Sequence, residues 1–524
     1  PLKPLVTRTL MSASTMAPTQ QALAGAATSQ PPHFVLVPLA AHGHLIPMVD
    51  LARLLASRGA RVSLLTTPLN ARRLRDGGVT DKAARAKLLL EVVELPYSPA
   101  DYGLPPDCQN ADMIADNAQM LPFFLALREL AGPFEAYVRA LVPRPSCIIS
   151  DWCNSWTAGV ATYLGIPRLF FQGPSCFFSL CDLNAAAHGL HERIAAAEDR
   201  EPHVVPSMSV SVKVGNGRPH GFFTSPGCKE LRHDAVAAMR TSQGVVINTF
   251  LDLEEKSVAC YEAALGKPVW TLGPFCLHTR DGDDMASRGG NKSGVSERAI
   301  VTWLDKQAPE SVVYVSFGSV ARKLPKQQFE IGHGLEHCCR PFLWVVKESE
   351  LASPEARMWL ESLEARTSGR GLVVRGWAPQ LVVLSHRSVA GFVTHCGWNS
   401  VLESIAHGVP VLTWPHFADQ FLNEQLAVDV LGVGLRIGVT APVMILNDDA
   451  AAPVLRGDIA RAVSELMQGG EEAEERRRKA KEYGAKARKA MEKGGNSYER
   501  LTQLIESFRH GGGKDNEHCS GVIA

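Results

Sequence analysis

The feature that most constrains the fold is a strand, helix, strand pattern near the start of the chain. Residues 34–37 (FVLV) form an apolar run, residues 47–57 carry leucines on one helical face, and residues 62–65 (VSLL) form a second run. A unit of this kind joins two parallel strands through a right-handed crossover. The sequence therefore predicts an α/β fold that is built on a parallel sheet.

The same alternation continues through the rest of the chain. Further strands are predicted at residues 147–150, 169–171, 245–247 and 269–271, and then at 312–315, 342–346, 372–374, 391–394 and 409–414. A helix is predicted at about 154–163, and a charged, solvated one at 471–493. A chain of 524 residues is long for one core, so we expect two doubly wound domains.

Composition shifts mark the predicted domain boundaries. Residues 276–296 are charged, rich in glycine and without periodicity, so they are predicted to link the domains. The resulting division is a disordered extension at 1–30, a first domain at 31–275, the linker at 276–296, a second domain at 297–510 and a flexible tail at 511–524.

The extension at 1–30 contains no acidic residue and is rich in Ala, Ser, Thr, Gln and Pro. Met11 or Met16 is a candidate native start, and a transit peptide is the alternative reading of this segment. Disorder is expected in either case.

Charge and cysteine content indicate the class of partner and the compartment. Lys and Arg together number 54 and Asp and Glu also number 54, which gives no support for binding to nucleic acid or to a membrane surface. No apolar run is long enough to span a bilayer. The absence of net charge favours a small-molecule partner, and we expect a monomer. The 12 cysteines form no C-x-x-C pair, so we expect reduced thiols in a cytoplasmic protein.

Residues 377–420 carry the densest pattern in the chain. The segment opens with W-A-P-Q, continues with HCGWNS at 395–400 and Glu403, and closes with a G-V-P turn and Asp419-Gln420. A strand, a tight turn and a helix that starts at Asn399 or Ser400 are predicted, and the free N–H groups of such a helix suit a diphosphate. The structural alternative is a capping box formed by Ser400 and Glu403, with the tryptophans as ordinary packed aromatics.

This segment resembles the signature box of plant family 1 UDP-dependent glycosyltransferases, and the resemblance covers about residues 33–510. It implies two facing doubly wound Rossmann-like domains, the glycosyltransferase B fold, with the UDP-sugar held mainly by the second. It also implies that no cofactor and no metal take part, the UDP-sugar being a co-substrate. Asp281 and Asp283 are spaced like a metal-binding pair but lie in the predicted linker, where we expect them to be solvated.

The resemblance assigns a role to each part of the donor site. It places His395, Asn399 and Ser400 on the phosphates with Ser319, Trp377 on the uracil with Ala378 beside it, Gln380 and Glu403 on the ribose, and Trp398, Asp419 and Gln420 around the sugar.

A catalytic pair is predicted in the first domain. An acceptor hydroxyl needs a base, because a neutral hydroxyl is a poor nucleophile. The predicted loop at 40–47 offers His42 and His44, and the family pattern G-H-x-x-P makes His44 the base and leaves His42 without a role. The same resemblance makes Asp151, at the end of the strand at 147–150, the acid that orients His44 and offsets its charge.

The predicted reaction is inverting, metal-independent transfer of glucose from UDP-glucose to a hydroxyl of a small lipophilic acceptor such as a flavonoid, a terpenoid, a hormone or another phenol or alcohol. Gln420 indicates glucose, because family members that transfer galactose often carry His there. The alternatives are another UDP-sugar, C- or N-glycosylation, and a non-catalytic binder. Candidate acceptor residues lie near Asp151 and in the following elements: Trp152, Trp156, Phe171, Gln172 and Phe178.

Overall fold

The computed structural model of the protein describes residues 30–114, 117–196, 202–215, 221, 227–278, 288, 294–319, 325–439, 442 and 451–509. The expectations for residues 1–29, for the tail and for Asp281 and Asp283 lie outside this part of the chain.

The first half contains a seven-stranded parallel sheet and a small antiparallel hairpin. The strands are β1 His33–Val37, β2 Arg61–Thr66, β3 Leu90–Glu94, β4 Cys147–Asp151, β5 Arg168–Gln172, β6 His203–Val204, β7 Lys213–Val214, β8 Val245–Ile247 and β9 Val269–Thr271. The helices are α1 His42–Ser57, α2 Pro68–Asp76, α3 Val79–Arg85, α4 Met120–Arg128, α5 Ala131–Ala140, α6 Thr157–Leu164, α7 Cys176–Ala187, α8 Leu190–Ala196, α9 Lys229–Arg240 and α10 Leu251–Leu265.

The second half contains a six-stranded parallel sheet. Its strands are β10 Val312–Ser316, β11 Phe342–Val346, β12 Gly371–Arg375, β13 Val389–Thr394, β14 Val411–Thr413 and β15 Gly434–Arg436. Its helices are α11 Glu297–Asp305, α12 Pro325–His337, α13 Pro354–Arg366, α14 Gln380–Ser385, α15 Trp398–His407, α16 Gln420–Gln425, α17 Arg456–Met467, α18 Glu471–Met491 and α19 Asn496–Arg509.

The strand orders are β3-β2-β1-β4-β5-β8-β9 in the first sheet and β12-β11-β10-β13-β14-β15 in the second. Both sheets therefore reverse their winding direction at one boundary, between β1 and β4 and between β10 and β13. Ligands of open α/β sheets bind at such a boundary, beyond the carboxyl ends of the strands. The predicted doubly wound architecture is confirmed, and its two switch points show where a site belongs.

Helix α1 differs from the prediction. We expected a loop at 40–47 and a helix from Pro47, but α1 begins at His42, after Ala41 in an extended conformation, and Pro47 lies inside it. The expectation treated Pro47 as the first helical residue, where proline is favoured. The predicted loop is thus wrong, and His42 and His44 lie in the first turn of a helix.

The final helix crosses back to the first half. Leu501, Leu504 and Ile505 of α19 are buried in the hydrophobic core that lies between the first sheet and α1. The ring of Phe508 lies edge-on to Phe34 of β1, with 5.8 Å between the ring centroids. The predicted unit at 297–510 therefore contributes its last helix to the packing of the other half.

Among the described residues, no helix is both long and apolar enough to cross a membrane. The described cysteines are free thiols, and most of them are buried.

Candidate active site

His44 and Asp151 form a buried pair at the switch point of the first sheet. Strand β1 leads into α1, whose first turn carries His44, and Asp151 is the last residue of the neighbouring strand β4. The Nδ1 atom of His44 lies 2.6 Å from Oδ2 of Asp151, and Asp151 is fully buried. Its other oxygen, Oδ1, accepts a hydrogen bond of 3.0 Å from the backbone N–H of Cys153. Both carboxylate oxygens are thus engaged, which fixes the orientation of the imidazole.

The charge of Asp151 controls the protonation of His44. Burial alone lowers the pKa of His44, but the charge and hydrogen bond of Asp151, together with the charge of Asp419 from the second half, raise it above 6.5. Burial also raises the pKa of Asp419 to about 6, against a hydrogen bond from Asn423 that lowers it. One histidine therefore lies in the field of two carboxylates, one from each half of the protein.

The N-terminus of α15 has the features that suit an anion. Gly397 is its N-cap residue and has no side chain to cap the helix, and the first N–H groups of a helix have no intrahelical partner. Ser400 lies in the first turn and accepts a hydrogen bond of 3.2 Å from Nε2 of Gln380. The alternative reading of Ser400 and Glu403 as a capping box is therefore wrong.

His395 lies beside this N-terminus, between two glycines. A Cβ atom on Gly318 would lie 2.6 Å from the imidazole, and one on Gly397 would lie 2.5 Å from it, so only glycine allows the ring this position. Burial, with a smaller contribution from Lys347, lowers the pKa of His395 to about 3. The ring is therefore neutral, and its buried Nδ1 has no hydrogen-bond partner among the described residues. Ser319 follows Gly318 in the turn after β10.

The residues predicted for the nucleoside lie together on the second half. Gln380, the first residue of α14, donates from Nε2 to Oε2 of Glu403 at 2.7 Å. Ala378 is buried, and Trp377 is half-buried. His42, which the sequence analysis left without a role, lies 6.3 Å from the Trp377 ring, centroid to centroid, and its Nδ1 is 3.3 Å from Asp112.

Two predicted donor residues contact the first half directly. The side-chain amide of Asn399 donates to the backbone carbonyl of Gly43 at 2.6 Å. That carbonyl would bond to the N–H of residue 47 in an ordinary helix, but residue 47 is proline and has no N–H. Trp398 is buried, and its Nε1 donates to the carbonyl of Asn248 at 2.9 Å.

Asp419 and Gln420 lie where α16 begins, and both are buried. Oδ2 of Asp419 accepts from Asn423 at 2.7 Å. Oε1 of Gln420 accepts from the backbone N–H groups of His416 and Phe417 at 2.8 and 3.1 Å. The carbonyl end of Gln420 is therefore occupied, which leaves its amide nitrogen as the group that can reach a ligand.

The residues predicted to contact the acceptor differ in whether their positions allow that contact. Trp156 is half-buried, packs edge-on against Phe134 and belongs with Trp152 to the core beside the carboxyl end of β4. Gln172 ends β5, and its buried Oε1 has no hydrogen-bond partner within the described part of the chain. Phe171 and Phe178 are fully buried in two hydrophobic cores, so their positions do not support the predicted contact with an acceptor.

Three groups that organise the site were missed by the sequence interpretation. Asn423 joins Asp419 to the carbonyl of Cys396, and its spacing of four residues from Asp419 in a helix is a usable signal. The carbonyl of Gly43, which Pro47 cannot bond within the helix and which accepts from Asn399 instead, could be inferred once the helix start is known. Arg288 forms ion pairs with Asp50 of α1 and Glu403 of α15. It lies in a polar, glycine-rich stretch, and nothing in the sequence distinguishes it.

The chain matches known proteins over most of its length. Residues 296–447 match the family described as UDP-glucoronosyl and UDP-glucosyl transferase. The chain is 41% identical to UDP-glycosyltransferase 73E1 of Stevia rebaudiana over 478 residues, which cover 90% of this chain and 95% of that protein. It is 39% identical to UDP-glycosyltransferase 73C3 of Arabidopsis thaliana over 479 residues, which cover 91% of this chain and 96% of the relative.

A solved structure shares the architecture. The chain superposes on UGT73P12 of Glycyrrhiza uralensis, in complex with glycyrrhetinic acid 3-O-monoglucuronide, with a TM-score of 0.80 and 32% identity. The superposition covers 91% of this chain and 96% of that one. The two doubly wound halves therefore form the glycosyltransferase B fold.

Proposed function

Since the chain belongs to the plant family 1 UDP-glycosyltransferases, enzymes that transfer a sugar from a UDP-sugar to a small molecule, we propose that it transfers glucose from UDP-glucose to a hydroxyl group with inversion. The observation that carries this proposal is the 2.6 Å contact between His44 and Asp151 at the switch point of the first sheet. The pair has the geometry of a general base with its orienting acid.

The base acts on the acceptor. With Asp151 on Nδ1, the proton of neutral His44 lies on that nitrogen and the basic lone pair lies on Nε2. His44 takes the proton of the acceptor hydroxyl while the oxygen attacks the anomeric carbon. The bond from that carbon to the phosphate oxygen breaks, and its electron pair leaves with UDP. Attack from the face opposite the leaving group inverts the configuration, and Asp151 offsets the positive charge that His44 acquires.

The leaving diphosphate is stabilised by protein groups. The N-terminus of α15, which begins after Gly397, presents N–H groups and the positive end of the helix dipole. His395, held neutral by burial, retains an N–H group to donate. These groups supply the charge stabilisation that a cation gives in other enzymes, so we propose that the reaction needs neither a metal nor a cofactor.

The choice of glucose rests on Gln420 and Asp419. Because backbone N–H groups occupy Oε1 of Gln420, its amide nitrogen donates to a sugar hydroxyl, while Asp419 accepts from a neighbouring one. A hydrogen-bond donor next to a hydrogen-bond acceptor discriminates between sugars that differ in the configuration of a hydroxyl group.

The acceptor is proposed to be small and lipophilic, as the aromatic surroundings of Trp152 and Trp156 favour. A similar solved protein was crystallised with glycyrrhetinic acid 3-O-monoglucuronide, which supports a small-molecule acceptor. Within such a site, the Oε1 atom of Gln172 is available to accept a hydrogen bond from an acceptor hydroxyl.

The test is a screen of phenolic, terpenoid and hormone alcohols with UDP-glucose, read by mass spectrometry. The anomeric configuration of each product is then read from its proton NMR coupling. A β-glucoside from the α-linked donor supports the proposal, and an α-glucoside overturns inversion. UDP binding without turnover of any acceptor would favour a non-catalytic binder.

A further inference from the structure

Arg288, from the segment that joins the two halves, lies buried between two carboxylates. Its Nε and Nη2 atoms lie 2.7 and 2.6 Å from Oδ2 of Asp50, which belongs to α1 in the first half. Its Nη1 donates to Oε1 of Glu403, which belongs to α15 in the second half. Only 9% of the Arg288 side chain is exposed, and the carboxylates of Asp50 and Glu403 are buried more deeply still.

The three groups depend on one another. Burial alone lowers the pKa of Arg288, but the two carboxylates more than offset this and raise it, so the guanidinium is always charged. Removing one member of a buried ion group leaves an uncompensated charge, which is strongly unfavourable. The planar fork of arginine contacts both carboxylates at once, whereas the single ammonium of lysine is a point charge.

Glu403 is held from two sides. Arg288 binds its Oε1, and Nε2 of Gln380 binds its Oε2 at 2.7 Å. A carboxylate has about four lone-pair sites, so two remain for a ligand. Arg288 and Gln380 set the directions of the two remaining lone pairs, because each of them holds one carboxylate oxygen of Glu403 in place.

We propose that Arg288 is a positioning residue for the donor ribose: it holds the Glu403 carboxylate in the orientation that accepts hydrogen bonds from the ribose hydroxyls. This inference rests on the proposed function, in which Gln380 and Glu403 bind the ribose of UDP-glucose. Arg288 thereby makes the site selective for a ribonucleotide over a 2′-deoxyribonucleotide, although it touches neither.

The test compares the binding of UDP and 2′-deoxy-UDP by titration calorimetry in the full-length protein. A charged acceptor that loses its hydroxyl partner costs enough for wild type to prefer UDP by about tenfold or more. In Arg288→Gln, we expect that preference to fall below about threefold while affinity for 2′-deoxy-UDP stays within about twofold of wild type. The KM for UDP-glucose should rise with little change in kcat.

Two further variants separate positioning from general stability. Arg366→Gln breaks an exposed arginine pair with Glu336 in the same half and should keep the full preference for UDP. Arg288→Lys keeps the charge but cannot replace the fork, so its preference should lie between those of wild type and Arg288→Gln. This variant decides the question if Arg288→Gln does not fold.

The binding measurements distinguish a positioning role of Arg288 from a purely structural one. Equal loss of affinity for both nucleotides in Arg288→Gln, with the preference retained, would overturn the positioning role and leave Arg288 as a structural tie. Wild type that binds UDP without preferring it to 2′-deoxy-UDP would overturn this inference while the proposed function stands. Wild type that binds neither nucleotide would overturn both.

Discussion

The Nδ1 atom of His44 lies 2.6 Å from the carboxylate of Asp151, although 107 residues separate the two in the chain. Topology explains the contact, because β1 and β4 are parallel neighbours in register, with Val37 beside Ser150. His44 follows β1 and Asp151 is the last residue of β4, so both lie at the carboxyl edge of the sheet. The pair is a product of strand order rather than of local sequence.

Replacing His44 by Ala should lower kcat by about 10² to 10⁴, the usual contribution of a general base. UDP affinity should change little, because the donor is proposed to bind mainly to the second half. His188→Ala, which removes an exposed histidine that follows α7, is the matched control and should keep full activity. Near-normal turnover in His44→Ala would remove it from the mechanism.

Activity should fall as the pH decreases through the pKa of His44, because only the neutral imidazole accepts a proton. That pKa lies above 6.5, since Asp151 raises it against the effect of burial. In Asp151→Asn the carboxylate charge is lost and burial dominates, so the acid limb of kcat should move to lower pH while the maximum rate drops. A pH profile of kcat with the same midpoint in both proteins would contradict the effect of Asp151 on the pKa of His44. The measurement uses saturating UDP-glucose, so that titration of Asp419, whose pKa is about 6, affects donor binding less.

Transfer should be independent of divalent metal, because the N-terminus of α15 and His395 supply the stabilising groups. Activity after EDTA treatment and desalting should equal that of untreated protein. Loss of activity that magnesium or manganese restores would show that a cation participates.

Ser400→Ala should weaken UDP binding by about three- to tenfold with little effect on stability, because Ser400 is not the cap of α15. Ser353 provides the contrast, since it is the true N-cap of α13 and accepts from the N–H of Ala356 at 3.0 Å. Ser353→Ala should lower the free energy of unfolding by about 1 kcal/mol and leave UDP affinity unchanged. Thermal melts and calorimetry on both variants check this, and a reversed pattern would make Ser400 structural.

UDP-glucose should be preferred over UDP-galactose by at least about tenfold in kcat/KM, because galactose inverts a hydroxyl that Gln420 and Asp419 are proposed to recognise. Gln420→Glu keeps an oxygen for the N–H groups of His416 and Phe417 but replaces the amide donor. This variant should reduce the preference for UDP-glucose over UDP-galactose, because it lowers the rate of glucose transfer. Competition between UDP-glucose and UDP-galactose at equal concentration measures this preference. Equal yields of glucoside and galactoside from wild type would refute the role of Gln420.

The sequence predicted the strands well, and the residues of the predicted second-half site lie close together in the structure, for physical reasons. Buried parallel strands are continuous apolar runs, and the residues at 377–420 act over short distances along the chain. The start of α1 was missed because the expected signal, proline at the first position, lies in its second turn. Arg288 was missed because its partners, Asp50 and Glu403, are 238 and 115 residues away in the chain.

Pro47 leaves one backbone acceptor of α1 outside the helix ladder, and this acceptor makes a contact between the two halves. The carbonyl of Gly43 bonds to Asn399 when the halves are together, and it can bond to water when they separate. Exchanging a protein partner for water changes the free energy by only about 0.5 to 1.5 kcal/mol. This contact therefore sets the register between the turn that carries His44 and the first turn of α15, while it contributes little to the free energy that holds the two halves together.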